Sequence, residues 1–184
     1  MNDSRIPKQA ITVIDFWRDA GPARWFAKDT EFDARFRQTF LAEHMAAARR
    51  ELDDWILTPE GSLALLLLLD QFPRNAYRDT AHMFATDGLA LHFARKALEL
   101  GHPARIDSSL RAFMYLPFEH AEALDCQNLA VQLCQELGGS TLEFAVIHRD
   151  IIQRFGRFPH RNTVLGRDTT PEEQHFLAQG GFNG

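Results

Sequence analysis

A chain of 184 residues, 45% hydrophobic and 24% charged, can bury one substantial core and is neither disordered nor fibrous in composition, so a single domain over 1–184 is expected. Its formal charge of -5 argues against general nucleic-acid binding, which calls for a basic excess to neutralise phosphates. The longest apolar run, the seven residues Leu63 to Leu69, is far short of the roughly 20 needed to cross a bilayer, so no membrane is expected as a partner.

Ile11, Ile14, Phe16 and Trp17 form a helical stripe between Pro7 and Asp19, which Gly21-Pro22 ends. Thr30 opens a second amphipathic helix with Phe32, Phe36 and Phe40 at spacing four, running to about Leu52. After the turn Pro59-Glu60-Gly61, Ser62 caps a third helix that is apolar almost all round, which Pro73 is expected to break. Thr80 starts a stretch whose Ala90, Ala94 and Ala97 suit close packing, and Gly101 stops it. A short helix over Leu110 to Tyr115 is cut at Pro117, and a longer one runs from Ala121 to Leu137. Ser140 with Glu143 predicts a capping box for a helix carrying Ile147, Ile151 and Phe155, and Thr170, Pro171 and Glu173 repeat that signal. No segment has strand periodicity. The fold class is therefore all-α, and connections of about two to eight residues predict antiparallel helical hairpins. A clean 34-residue period is absent, so periodicity alone does not make this a regular tetratricopeptide repeat.

The two cysteines, Cys126 and Cys134, lie eight residues apart on a predicted helix, roughly 12 Å between Cα atoms, which is too far for a disulfide. With no CxxC motif and no charged-then-apolar leader, a cytoplasmic location is expected.

Three segments stand out. LDQFPRNAYRDT (69–80) and RFGRFPHRNTVLGRDTT (154–170) each carry an aromatic residue and Pro, then Arg-Asn, then Arg-Asp-Thr, as equivalent corners of a duplicated unit would. One reading is structural: Phe-Pro stops a helix, Asn takes unusual backbone angles and Arg caps orphan carbonyls. The other is a binding site for an anionic peptide or small acid, lined by Asp70, Gln71, Arg74, Asn75, Arg154, Arg157, His160, Arg161 and Asn162. Arg154, Arg157, Arg161 and Arg167 lie with His160 in fourteen residues that hold no acid, and guanidinium forks match carboxylate or phosphate. On this reading Arg157→Ala weakens ligand binding and leaves the melting temperature nearly unchanged.

In the third segment, RAFMYLPFEHAEALDCQ (111–127), His120 and Glu122 follow a Pro-marked break, while His148 falls on the apolar face of the later helix. His120, Glu122 and His148 are thus the candidates for acid-base catalysis in an alternative hydrolase or transferase, with the arginines stabilising an anion. A histidine on an apolar face is nonetheless more often a satisfied core residue. His120, Glu122, His148, Asp150 and His160 lack the spacing of known metal motifs, and neither a GxSxG elbow nor a P-loop is present, so no metal and no cofactor is expected.

LDQFPRN, YLPFEHAE, RFGRFPHRN and LGRDTTPEE, together with IDFW and FATDGLAL, resemble the bacterial family known as domain of unknown function 924 over nearly the whole chain. The resemblance implies a tetratricopeptide-repeat-like stack of right-handed helical hairpins and supplies no activity. The family's usual His-Ser-Glu is His120-Ala121-Glu122 here, which removes the hydroxyl.

Overall fold

A computed structural model describes residues 6–183, and every regular element among them is helical. The chain forms two compact units, one of residues up to Arg78 with His82–Pro117, the other of Asp79–Ala81 with Phe118 onward.

In the first unit, α1 (Lys8–Ala20) buries Ala10, Val13, Ile14 and Trp17, and α2 (Pro22–Trp25) follows Gly21, whose φ of 73° lets the chain turn. Helix α3 (Thr30–Ala48) starts one residue before the expected cap: Asp29, not Thr30, accepts the amides of Glu31 and Phe32. The four-residue spacing of Phe32, Phe36 and Phe40 puts all three in the core, where Trp17 packs against Phe32 and Phe36 and Phe72 packs against Phe36.

The expected turn at 59–61 is helix. Thr58 caps α4 (Pro59–Leu66) by accepting the Gly61 amide at 3.1 Å, and Pro59 occupies the first turn, where its missing N–H costs nothing. The backbone leaves no room at Gly61, because a Cβ there would overlap the Trp55 carbonyl oxygen. Gly61→Ala is expected to destabilise by about 2 kcal/mol, the usual scale of overpacking, and a denaturant titration showing no loss would mean the helix start shifts freely.

Pro73 does not break this helix. A π-helical turn over Leu67–Gln71 carries it into α5 (Phe72–Ala76), with the Phe72 amide reaching back to the Leu67 carbonyl. A regular helix would have paired that amide with Leu68, and Pro73 has no N–H for Leu69. Both released carbonyls are taken by side chains: His44 Nδ1 lies 2.8 Å from Leu68 O, and Thr86 Oγ1 donates to Leu69 O at 2.5 Å. Helix α6 (Asp87–Glu99) follows a single 3-10 turn and buries Ala90, Ala94 and Ala97 as expected, packing against α4. The short turn α7 (Ser108–Arg111) and a 3-10 turn over Ala112–Met114 end at Tyr115, close to the expected break, and Pro117 lies in the first turn of α8 (Leu116–Glu119).

In the second unit, α9 (Leu124–Gln135) begins later than expected and pairs with α10 (Gly139–Phe155), one helical hairpin. The capping box expected from Ser140 and Glu143 does not form; α10 is capped two residues earlier, by Gly138 at φ 64°. Thr170 and Glu173 do form theirs at the start of α11 (Pro171–Ala178). Ile151, Ile152 and Phe158 make one core cluster here, with Phe155, Phe176 and Phe182 against it. Cys126 and Cys134 are both buried free thiols, and burial pushes the Cys134 pKa up to about 12, which keeps it protonated near neutrality.

Candidate functional site

The two look-alike segments are not equivalent corners. LDQFPRN is helical throughout by way of the π-turn, whereas RFGRFPHRN leaves the helix at Gly156 (φ 70°) and makes a 3-10 turn over Pro159–Arg161. What they share is side-chain chemistry.

In the first unit Arg74 meets Asp87 at 2.9 and 3.0 Å and Asp70 at 3.2 Å, and Gln71 donates to Asp70 at 2.6 Å. Asn75 donates to Asp33 at 2.7 Å, and Arg78 grips the same carboxylate at 2.5 Å. In the second unit Arg157 holds Glu173 through two bonds of 2.6 and 2.9 Å and also donates to the Asp168 carbonyl. Asn162, fully buried, donates to Glu173 at 3.3 Å and accepts from Arg167 at 2.9 Å. In both places an Asn and an Arg close on one buried acid. The Arg157 bonds hold the Glu173 carboxyl down to about 2, aided by the Thr170 amide and hydroxyl. Arg154 pairs with Glu172 at 2.9 Å on the surface, and both are exposed.

Glu122, a catalytic candidate, belongs to this network. It accepts the Phe158 amide at 2.7 Å and the Arg167 fork at 2.7 and 3.0 Å. Burial pushes its pKa up, but those hydrogen bonds outweigh burial and leave the carboxyl below its ordinary range. The carboxylate beside His148 is instead Glu119, which the sequence reading passed over; its only signal was its place next to His120 after the Pro117 break.

His148 and His160 gather around two aromatic rings, and His120 lies beside His148. The His120 and His148 ring centroids are 6.3 Å apart, His148 lies 5.3 Å from Phe158 and 4.5 Å from Phe182, and His160 lies 5.6 Å and 5.4 Å from the same two. Arg161 is buried with its guanidinium 4.4 Å over the Phe158 ring. His148, on α10 and 6% exposed, has Nδ1 2.8 Å from the Phe144 carbonyl and 3.2 Å from Glu119 Oε1. Two acceptors at one nitrogen require it to carry the proton, so the neutral ring exposes a lone pair at Nε2.

Burial lowers the His148 pKa to about 3, helped by His120, Arg161 and His160. Glu119 pulls the other way, but a neutral imidazole already satisfies both acceptors, so desolvation decides. His160 is lowered to about 4, first by burial and then by Arg161. Its Nδ1 is buried and has no hydrogen-bond partner among the described residues. Asp150 pairs with Arg149 at 2.7 Å and stays exposed. No group of three or more His, Cys, Asp or Glu among the described residues is placed to hold a metal ion.

These features define a class: a helical scaffold with an Arg–Asn–carboxylate network in each unit and, in the second, a cluster of His120, His148 and His160. The chain belongs to the family described as bacterial protein of unknown function (DUF924), whose model matches residues 13–181. It is similar to the solved structure of a protein of unknown function, ATU0120, from Agrobacterium tumefaciens, with 55% identity, a TM-score of 0.92, and coverage of 94% of this chain and 98% of that one. No curated protein matches the chain. The family resemblance and the all-helical fold expected from the residues are therefore both met, and no helix among the described residues is long and apolar enough to cross a membrane.

Proposed function

We propose that this chain is a binding module for a small acidic ligand, held at the cluster of His148, His160 and Arg161. The supporting observation is His160 Nδ1, buried without a hydrogen-bond partner among the described residues, on the same aromatic ring that Arg161 covers. A buried polar atom left unpaired costs about 1–3 kcal/mol, and an incoming carboxylate oxygen relieves it by selecting the tautomer with N–H at Nδ1. Arg154, Arg157 and Arg74 already have carboxylate partners, so the outward part of the expected groove has weaker support. A buried cluster also suits a small acid better than a peptide.

The test is a thermal-shift series with acetate, phosphate, citrate and acidic peptides on the wild type, His160→Ala and Arg161→Ala. A ligand at a hundredfold its Kd adds about 2.7 kcal/mol, expected as a rise of about 5 °C or more in the wild type and little in either variant. Equal shifts in all three proteins, or none in the wild type, overturn the reading.

An acid-base enzyme is the second reading, favoured by the Glu119 and Phe144 contacts that orient His148 and present Nε2. A pKa of about 3 makes that nitrogen a weak base near neutrality, and for this reason binding is placed first. The tetratricopeptide-repeat-like stacking, the single folding domain and the cytoplasmic location belong to this proposal. The α9–α10 hairpin supports the first, and the two free thiols accord with the last. A single calorimetric transition is the expected sign of one domain.

A further inference from the structure

Phe182 belongs to two places at once. Its ring lies 4.5 Å from His148, 5.4 Å from His160 and 6.5 Å from Phe144. The same side chain walls an apolar groove formed by Ile147, Ile151, Phe155 and Phe176, with Arg154 and Asp150 also lining it. The segment that carries it follows α11 through Gly180 at φ 80° and Gly181, whose amide bonds the Phe176 carbonyl at 3.0 Å. A Cβ on Gly181 would lie 2.6 Å from the Phe176 ring, so the glycine lets the chain pass close and bring Phe182 beside the imidazoles.

The cluster thus offers two kinds of recognition side by side. His160 Nδ1 and the Arg161 guanidinium are polar and desolvated, while the space beside both imidazoles is filled by an aromatic ring, steeply inclined to each, from a half-buried, irregular segment. A ligand that reaches the polar groups has to take the place of that ring, and it recovers the lost burial only by bringing apolar surface of its own.

We infer that the ligand is an amphipathic acid, a carboxylate bearing an aromatic or branched apolar group, whose apolar part replaces the Phe182 ring and whose carboxylate turns to His160 and Arg161. This rests on the acid-binding reading above. Phe182 is then a built-in competitor, so removing it strengthens binding of the right ligand.

The experiment is calorimetric titration of the wild type and Phe182→Ala with phenylacetate, acetate and 2-phenylethanol. Phe182→Ala is expected to bind phenylacetate at least tenfold more tightly than the wild type does, and at least tenfold more tightly than it binds either other compound. If acetate binds the variant as well as phenylacetate, the apolar half is wrong and the acid-binding reading stands. If 2-phenylethanol binds as well as phenylacetate, the charge is irrelevant and both fall. No binding of any compound to either protein overturns the acid-binding reading first, and this inference with it. Should Phe182→Ala melt below the assay temperature, ethoxycarbonylation of His160 in the wild type decides: phenylacetate should slow it at least fivefold and 2-phenylethanol should not. Equal protection by both overturns the inference.

Discussion

Glu173→Gln is expected to lower stability by about 3 kcal/mol, toward the low end for breaking a buried ion pair because Arg157 keeps some contact with water. Glu173 is 2% exposed and accepts both Arg157 nitrogens, the Thr170 amide and Asn162. Removing its charge strands the guanidinium, and the single amide oxygen left cannot serve both Arg157 and the Thr170 amide of the α11 capping box at full strength. For a chain of this length the loss reads as about 6–12 °C in melting temperature, measurable by calorimetry. Arg157→Ala should cost a comparable amount, the reverse of the unchanged melting temperature that an anion-binding Arg157 leads one to expect. A loss under about 1 kcal/mol in both variants would mean that the pair behaves as an ordinary surface bridge.

Acidification from pH 7 to 4.5 is expected to cost several kcal/mol. His148 and His160 sit near 3 and 4 in the folded chain, and burial also lowers His44 and His102, against about 6.5 for an unfolded histidine. Between those limits the unfolded chain takes up protons that the native chain refuses. Stability is therefore fully present above about 6.5 and falls as pH drops toward the folded values, by about 1.4 kcal/mol per pH unit for each histidine. Two such groups over two units approach the 5–15 kcal/mol that holds a domain folded. Glu173 adds its own loss lower down, where stability present above about 4.5 disappears toward 2. Denaturant titrations between pH 4.5 and 7.5 check this, and His148→Asn should flatten the slope by about one proton. A stability that rises on acidification through pH 6 would mean that Glu119 holds His148 protonated and that desolvation loses.

The breaks and caps that the sequence predicted correctly share one property: both partners lie within one helical turn. Thr170 with Glu173 and Gly101 after α6 are of this kind. The miss at Pro73 has a non-local cause. A proline ends a helix when its missing N–H strands a carbonyl, but His44 and Thr86, seventeen or more residues away, take the carbonyls of Leu68 and Leu69. Ser140 fails as a cap for a local reason, since Gly138, at a positive φ of 64°, already starts α10 two residues earlier.

The candidate site divides along the same line. That His148 would be buried could be read from the apolar residues on its helix face, and it is. That Glu119 rather than Glu122 would stand beside it could not, because the two carboxylates are three residues apart and only the position of Phe158 and Arg167 draws one of them away. Composition and helical periodicity alone determined that this chain is all-α, because backbone hydrogen bonding and a one-sided apolar stripe are local requirements. Which acid each arginine meets was decided only by the tertiary structure: Arg78 with Asp33 and Arg167 with Glu122 are each 45 residues apart, and no local rule sets such a pairing.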